Sequence, residues 1–200
     1  MNIPRIILML LTLCALALAG CSTKVERLDV SEVRDLSGRW NDIDSRQVAE
    51  AMVQDCLNRP WLTRYITRTG QTPDIIVGAI RNRSTEHIST ETFTKDLERA
   101  LINSGKANFV ASAEERLSVR EERLDQDLNA SPETRKAPGM EAGADYMLIG
   151  SINSIVDKEG REQVIYYQTN LELVDMADNR KVWIGDKKIK KYVERPKFKW

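Results

Sequence analysis

Between residues 164 and 175 the chain alternates. Ile165, Tyr167, Thr169, Leu171 and Leu173 fall on one side, and Tyr166, Gln168, Asn170 and Glu172 on the other. A period of two marks a strand with one face in a core and the other toward water. Such a strand cannot bury its apolar face alone, so the chain must build a sheet and cover one side of it. Adjacent segments supply partners. Residues 145–156 read as a strand leading into the turn Lys158-Glu159-Gly160. Residues 181–191 read as another, after the turn Asp178-Asn179. The result is an antiparallel meander with one buried and one largely polar face.

The preceding part reads as helices and a crossover. A helix begins near Asp42 or Asp44, either of which can cap it, with Val48, Met52, Val53, Cys56 and Leu57 inward. Pro60 suits the first turn of a second helix carrying Trp61, Leu62, Tyr65 and Ile66, and Gly70 ends it. Residues 74–81 (DIIVGAIR) form a buried strand and residues 82–87 a polar loop. Ser89 or Thr90 caps a helix with Phe93, Leu97, Ala100 and Leu101 in a stripe, and Gly105 is its left-handed stop. Residues 107–111 (ANFVA) form a short strand, so strand, helix and strand suggest a parallel crossover. Residues 114–129 form a strongly charged helix with a narrow stripe of Ala113, Leu117, Leu124 and Leu128. Within it, Arg123 and Asp127 are one turn apart and can pair. Ser131-Pro132-Glu133 predicts one more helix, interrupted at Pro138. The expected fold is α/β: a mixed sheet of about five strands, a β-α-β crossover followed by the meander, packed with helices.

The amino terminus carries the one residue with a chemically specific fate. Residues 6–18 are almost wholly apolar, and too short for the roughly twenty residues that span a bilayer, so they read as the core of an export signal. Leu18-Ala19-Gly20-Cys21 resembles a lipobox. That resemblance implies lipidation of the Cys21 thiol, cleavage after Gly20 and acylation of the new terminus, with two or three acyl chains giving a stable anchor. By resemblance to lipoprotein sorting signals, Ser22 in place of Asp directs the chain to the outer membrane of a two-membrane bacterium. The predicted organisation is a signal peptide over 1–20, a lipidated tether over 21–39, a globular domain over 40–193 and a basic-aromatic tail over 194–200.

Composition removes several classes of function. The precursor has 30 basic and 30 acidic side chains, so no global field draws it to nucleic acid. One histidine, His87, provides no histidine pair for a metal and no supported Ser-His-Asp set. The ten glycines are scattered at turns and form no phosphate-cradling loop. No cofactor, metal or small-molecule substrate is expected, and the chain does not read as an enzyme. Once Cys14 leaves with the signal and Cys21 is lipidated, Cys56 stands alone at helical spacing with apolar neighbours, as a buried thiol.

With these elements placed, the sequence resembles the LpoB family. The blocks that carry the resemblance are Trp40-Asn41 before the first helix, residues 76–84 (IVGAIRNRS), residues 97–112 (LERALINSGKANFVAS), and Gly143-Ala144-Asp145 leading into an apolar strand. The resemblance implies a fold related to the N-terminal domain of TolB. It also implies an outer-membrane lipoprotein, facing the periplasm, that docks on and activates a bifunctional peptidoglycan synthase, a penicillin-binding protein. It brings no catalytic residues. One departure is the tether, short here and without the long Pro-rich stretch of well-known members.

Two surfaces are candidates for docking: the polar stretch holding Asn82, Arg83, Ser84 and His87, and the charged helix over 114–129. Each also has a plainer reading, as a connection and as a solvated face. An alternative function is a subunit or accessory lipoprotein of a CsgG-like outer-membrane secretion assembly. A peptidoglycan-cleaving enzyme is the third possibility, for which no convergent pair of groups is visible.

Overall fold

The computed structural model describes residues 25–29, 32–136, 139 and 141–195. The expected lipobox with Cys21, the break at Pro138 and tail residues 196–200 lie outside the described residues. Residues up to Val33 belong to one compact unit and those from Arg34 onward to another. In the first unit the described residues have no regular secondary structure, and the Glu32 amide donates to the Asp29 carbonyl at 3.0 Å.

The second unit contains nine described elements. They are α1 (Asp42–Leu57), α2 (Pro60–Thr69), β1 (Asp74–Arg83), α3 (Thr90–Ser104), β2 (Asn108–Phe109), α4 (Ala113–Asn129), β3 (Tyr146–Glu159), β4 (Glu162–Asp175) and β5 (Lys181–Glu194). They build one five-stranded sheet in the order β2-β1-β3-β4-β5. β1 runs parallel to both β2 and β3, and β3, β4 and β5 form the antiparallel meander. The expected mixed α/β sheet is therefore present, with crossover and meander joined between β1 and β3.

The alternation in β4 places Ile165, Tyr167, Thr169, Leu171 and Leu173 at or near zero exposure. Opposite them in the core stand Val48, Met52, Val53 and Cys56 of α1, Trp61 and Tyr65 of α2, and Phe93, Leu97 and Leu101 of α3. Aromatic edges tie the layers, since Trp61 and Tyr65 meet Tyr146 at 4.9 and 5.6 Å between ring centroids. Trp183 on β5 donates from Nε1 to Asp55 Oδ2 on α1 at 2.9 Å, linking the last strand to the first helix.

Helix ends follow local chemistry, with one correction. Asn41, not Asp42 or Asp44, caps α1. Its Oδ1 accepts from the Asp44 amide at 3.0 Å, and Asp44 Oδ2 accepts from the Asn41 amide at 3.0 Å, which satisfies two orphan donors reciprocally. Ser89 caps α3, and Gly70 and Gly105 end α2 and α3 with φ of 69° and 62°, values that favour glycine because it has no Cβ.

Three further expectations change. Ile66 is 43% exposed rather than inward. Arg123 reaches Glu141 at 3.4 Å, while Asp127 pairs with Arg135 at 3.1 Å, so the expected Arg123–Asp127 pair is replaced by two bridges to the segment beyond the helix. The helix expected from Ser131 is a single turn, in which the Thr134 and Arg135 amides both donate to the Ser131 carbonyl.

Candidate docking surface

The stretch after β1 differs from the sequence expectation in a way that matters for the site. Asn82 and Arg83 are not loop but the last two residues of β1, opposite Ile152 and Asn153 of β3. Side-chain polarity ended the apolar run at Ile80, but a ladder is made by backbone groups and continues wherever the neighbouring strand does. The turn begins at Ser84.

Two of the four candidate residues hold that turn together. Asn82 Oδ1 accepts from the Ser84 amide at 2.9 Å and lies 2.7 Å from the Ser84 hydroxyl. Asn82 Nδ2 donates to the Glu86 carbonyl at 2.8 Å. The Thr85 amide donates to Ser154 Oγ at 3.0 Å, fastening the turn to β3. The other two candidates, Arg83 and His87, are exposed, and their side chains have no hydrogen-bond or ion-pair partner among the described residues. Scaffold and presented groups thus alternate along the stretch.

Arg83 has a neighbour that sequence reasoning did not single out. A bulge between Val77 and Ile80 resets the register of β1, after which Ile80 points to the core and Arg81 and Arg83 share the opposite face. They border a shallow concavity of about 280 Å³ with Ile149, Ser151, Asn170 and Glu172. Glu172 is engaged by Lys181 at 2.7 Å. The two guanidiniums therefore leave a net positive charge at this end of the open sheet face.

The second candidate, α4, has no buried residue, and Leu117, Leu124 and Leu128 are 56, 58 and 83% exposed. Arg116, Arg120 and Arg123 all turn to the Glu141 carboxylate, Arg120 through Nε at 2.8 Å and a second nitrogen at 2.9 Å. This pairing holds the Glu141 carboxyl below its ordinary range, with the Arg120 hydrogen bond the main cause. At the start of the helix, the hydrogen bond from Lys95 pulls the Glu115 carboxyl down to about 2, helped by Ser112.

Glu86 is the residue that sequence reasoning missed. Its Oε1 accepts from the Tyr167 hydroxyl at 2.8 Å, and its Oε2 from the Trp40 amide at 3.2 Å. Burial, then this hydrogen bond, drives the Tyr167 hydroxyl upward. Only its place in the polar run before Ile88 marked it, and nothing local pointed to partners 46 and 81 positions away. Among the described residues no cluster of three metal-ligating side chains occurs, and no helix is long and apolar enough to cross a membrane.

The family model described as peptidoglycan-synthase activator LpoB matches residues 44–189, from the first turn of α1 into β5. The chain belongs to the LpoB family. Solved structures similar to this LpoB-family chain include the LpoB C-terminal domain from Escherichia coli, at 21% identity, 73% of this chain, 98% of that chain and a TM-score of 0.42. The NMR structure of E. coli LpoB is similar at 17% identity over 89% and 84% of the two chains, with a TM-score of 0.41. Lipoprotein GNA1162 from Neisseria meningitidis is similar at 16% identity over 60% and 83%, with a TM-score of 0.37. Comparison with curated proteins by sequence returned no match.

Proposed function

We propose that this chain is an outer-membrane lipoprotein, anchored through Cys21 and facing the periplasm. In this reading it binds a bifunctional peptidoglycan synthase, a penicillin-binding protein, and shifts it toward its active state. The observation that carries the proposal is the family match, which spans almost every element of the sheet and its helices. The corresponding organisation is a signal over 1–20, a tether over 21–39, a domain over 40–193 and a short tail over 194–200.

Activation needs no chemistry from this chain. A regulator that binds one state of an enzyme more tightly than another shifts the population by that difference, and equal affinity shifts nothing. Arg83 and His87 are the side chains proposed to touch the synthase, with Asn82 and Ser84 holding the turn that presents them. Support comes from their exposure and from side chains without partners among the described residues, beside two side chains that bond within the turn. Arg81 and the concavity beside it extend the surface toward an acidic contact.

The direct test adds the purified, lipidated chain to the purified bifunctional synthase of the same organism and follows glycan polymerisation. A severalfold rise in rate that saturates with the chain is expected. Binding without any change in rate would overturn the activator reading. Acyl labelling supplies the anchor test: Cys21→Ser should abolish labelling and leave the precursor uncleaved, and labelling that persists would move the anchor elsewhere.

A further inference from the structure

The segment leading into α1 is held at two places. At the first, the Lys191 ammonium on β5 touches Asp44 Oδ2 at 2.5 Å, Asp35 at 3.0 Å and the Arg39 carbonyl at 3.1 Å. The Lys191 side chain is only 10% exposed, so these interactions are shielded from water and salt better than a surface pair. Asn41 Nδ2 adds a bond to Asp35 Oδ1 at 3.2 Å. Between the two places Gly38, at φ 69°, lies against Val193 of β5 so closely that a Cβ would collide with it.

At the second place the Trp40 ring stands edge-on to Phe93 and Tyr167, at 6.2 and 5.5 Å. Its amide donates to Glu86 Oε2. Glu86 is also part of the turn after β1. Its carbonyl receives Asn82 Nδ2, and its amide donates to Ser84 Oγ at 3.2 Å. One residue thus joins the end of the tether to the turn that carries the candidate docking groups.

We propose that residues 35–40 are a strap which, through Glu86, holds the turn after β1 in its observed conformation, so that load on the chain at residue 34 loosens that turn. The contacts lie in series. Tension arriving from residue 34 meets the Asp35–Lys191 clamp first, then Gly38, then Trp40. Once the Trp40 amide leaves, the Glu86 carboxylate keeps, among the described residues, the Tyr167 hydroxyl alone, and its side chain can swing, taking the Glu86 backbone and the bonds to Asn82 and Ser84 with it. That loosening the turn weakens synthase docking rests on the proposed function. The mechanical link between strap and turn does not.

Coupling of this kind is reciprocal: whatever frees the strap must loosen the turn, and whatever frees the turn must loosen the strap. Amide hydrogen exchange on the full lipidated chain in detergent reads both directions. Lys191→Met removes the clamp without touching the turn, and Glu86→Gln weakens the link without touching the clamp. Expected for Lys191→Met is exchange at Ser84, Thr85 and Glu86 faster by about fivefold or more, within the usual range of such coupling, with Ile75 and Val77 unchanged. Expected for Glu86→Gln is faster exchange at Gly38 and Arg39.

If Lys191→Met frees residues 35–39 while exchange in the turn stays as in the parent chain, strap and turn are independent and the proposal fails. If Ile75 and Val77 accelerate by the same factor, that variant reports global unfolding. Asp35→Asn, at a side chain 41% exposed, then decides by the same two outcomes. Synthase binding by the parent chain is measured alongside. A chain whose strap and turn are coupled but which binds no synthase would sink the docking consequence and leave the strap standing.

Discussion

The hydroxyl of Tyr65 on α2 donates to Asp145 Oδ2 at 2.6 Å. The same oxygen accepts the Asp74 amide at 2.8 Å, while the Asp145 amide donates to the Asp74 carbonyl and the Asp145 carbonyl receives the Met176 amide. Asp74 Oδ1 in turn takes Asn108 Nδ2 at 2.9 Å. The starts of β1, β2 and β3 and the residue after β4 therefore meet at the Asp74–Asp145 pair, in which the Asp145 carboxylate takes the Tyr65 hydroxyl and the Asp74 amide. Asp145 is thus a structural clasp at the entry to the sheet.

Replacing that carboxylate should cost more than an average substitution. Asp145→Ala leaves the Tyr65 hydroxyl and the Asp74 amide without an acceptor, and each orphaned buried donor costs about 1–3 kcal/mol. A loss of about 2–4 kcal/mol in denaturant unfolding is expected, with Asp145→Asn milder because its amide oxygen can still accept. A change below about 0.5 kcal/mol for Asp145→Ala, the range of an ordinary surface substitution, would contradict the clasp.

Thr169 makes the opposite prediction. Its side chain is fully buried on β4 and its hydroxyl has no hydrogen-bond partner among the described residues. A valine has nearly the same shape without the polar group, and removing an unsatisfied buried hydroxyl is neutral to stabilising. Thr169→Val should raise the unfolding free energy by about 0.5–1 kcal/mol. A loss of 1 kcal/mol or more would mean that the hydroxyl is satisfied in solution.

High pH should weaken the fold, and the sign follows from two buried acids. Burial, then the hydrogen bond to Asp145, pushes the Tyr65 hydroxyl up to about 12. Burial pushes the Cys56 thiol up to about 12. Both are raised above their unfolded values of 10.0 and 9.0. Their contribution is complete below about pH 9 and is lost as pH rises toward about 12, because the unfolded chain releases those protons first. Melting temperature should therefore fall from about pH 9 upward, and Tyr65→Phe should flatten part of the fall. Cys56 should also react with thiol reagents far more slowly in the folded chain than in the unfolded one. A melting temperature level to pH 11 would show that neither group is shifted.

What could be read from the sequence divides along the range of the interactions. The β4 alternation, the inward stripes of α1 and α3, and the glycine stops at Gly70 and Gly105 are local patterns, and the structure follows them. The cap of α1 is not legible locally, because Asn41, Asp42 and Asp44 are all competent caps and only the reciprocal bond selects Asn41. Asn82 and Arg83 look like loop in the sequence because strand patterns are recognised by side chains, whereas β3 pairs with their backbone. The link from Glu86 to Trp40 and Tyr167 left no local mark, since it joins three segments brought together only by the finished sheet. At the candidate site, the sequence marks Asn82, Arg83, Ser84 and His87 together as one polar stretch. That Asn82 and Ser84 are scaffold, and that Arg81 shares the face of Arg83, depended on the bulge and the turn geometry.

The measurement that bears most directly on docking is the affinity of the bifunctional synthase for Arg83→Glu, with thermal unfolding followed on the same sample. The Arg83 side chain is exposed and has no bonding partner among the described residues, so its reversal should leave the melting temperature within about a degree or two of the parent, as exposed substitutions usually change stability by no more than about 0.5 kcal/mol. The synthase should bind at least about tenfold more weakly, since truncating or reversing one partner of a charge pair at a contact costs about 2–5 kcal/mol when the pair is desolvated. Parent-like affinity in a fully folded Arg83→Glu chain would contradict the assignment of this turn as the docking surface.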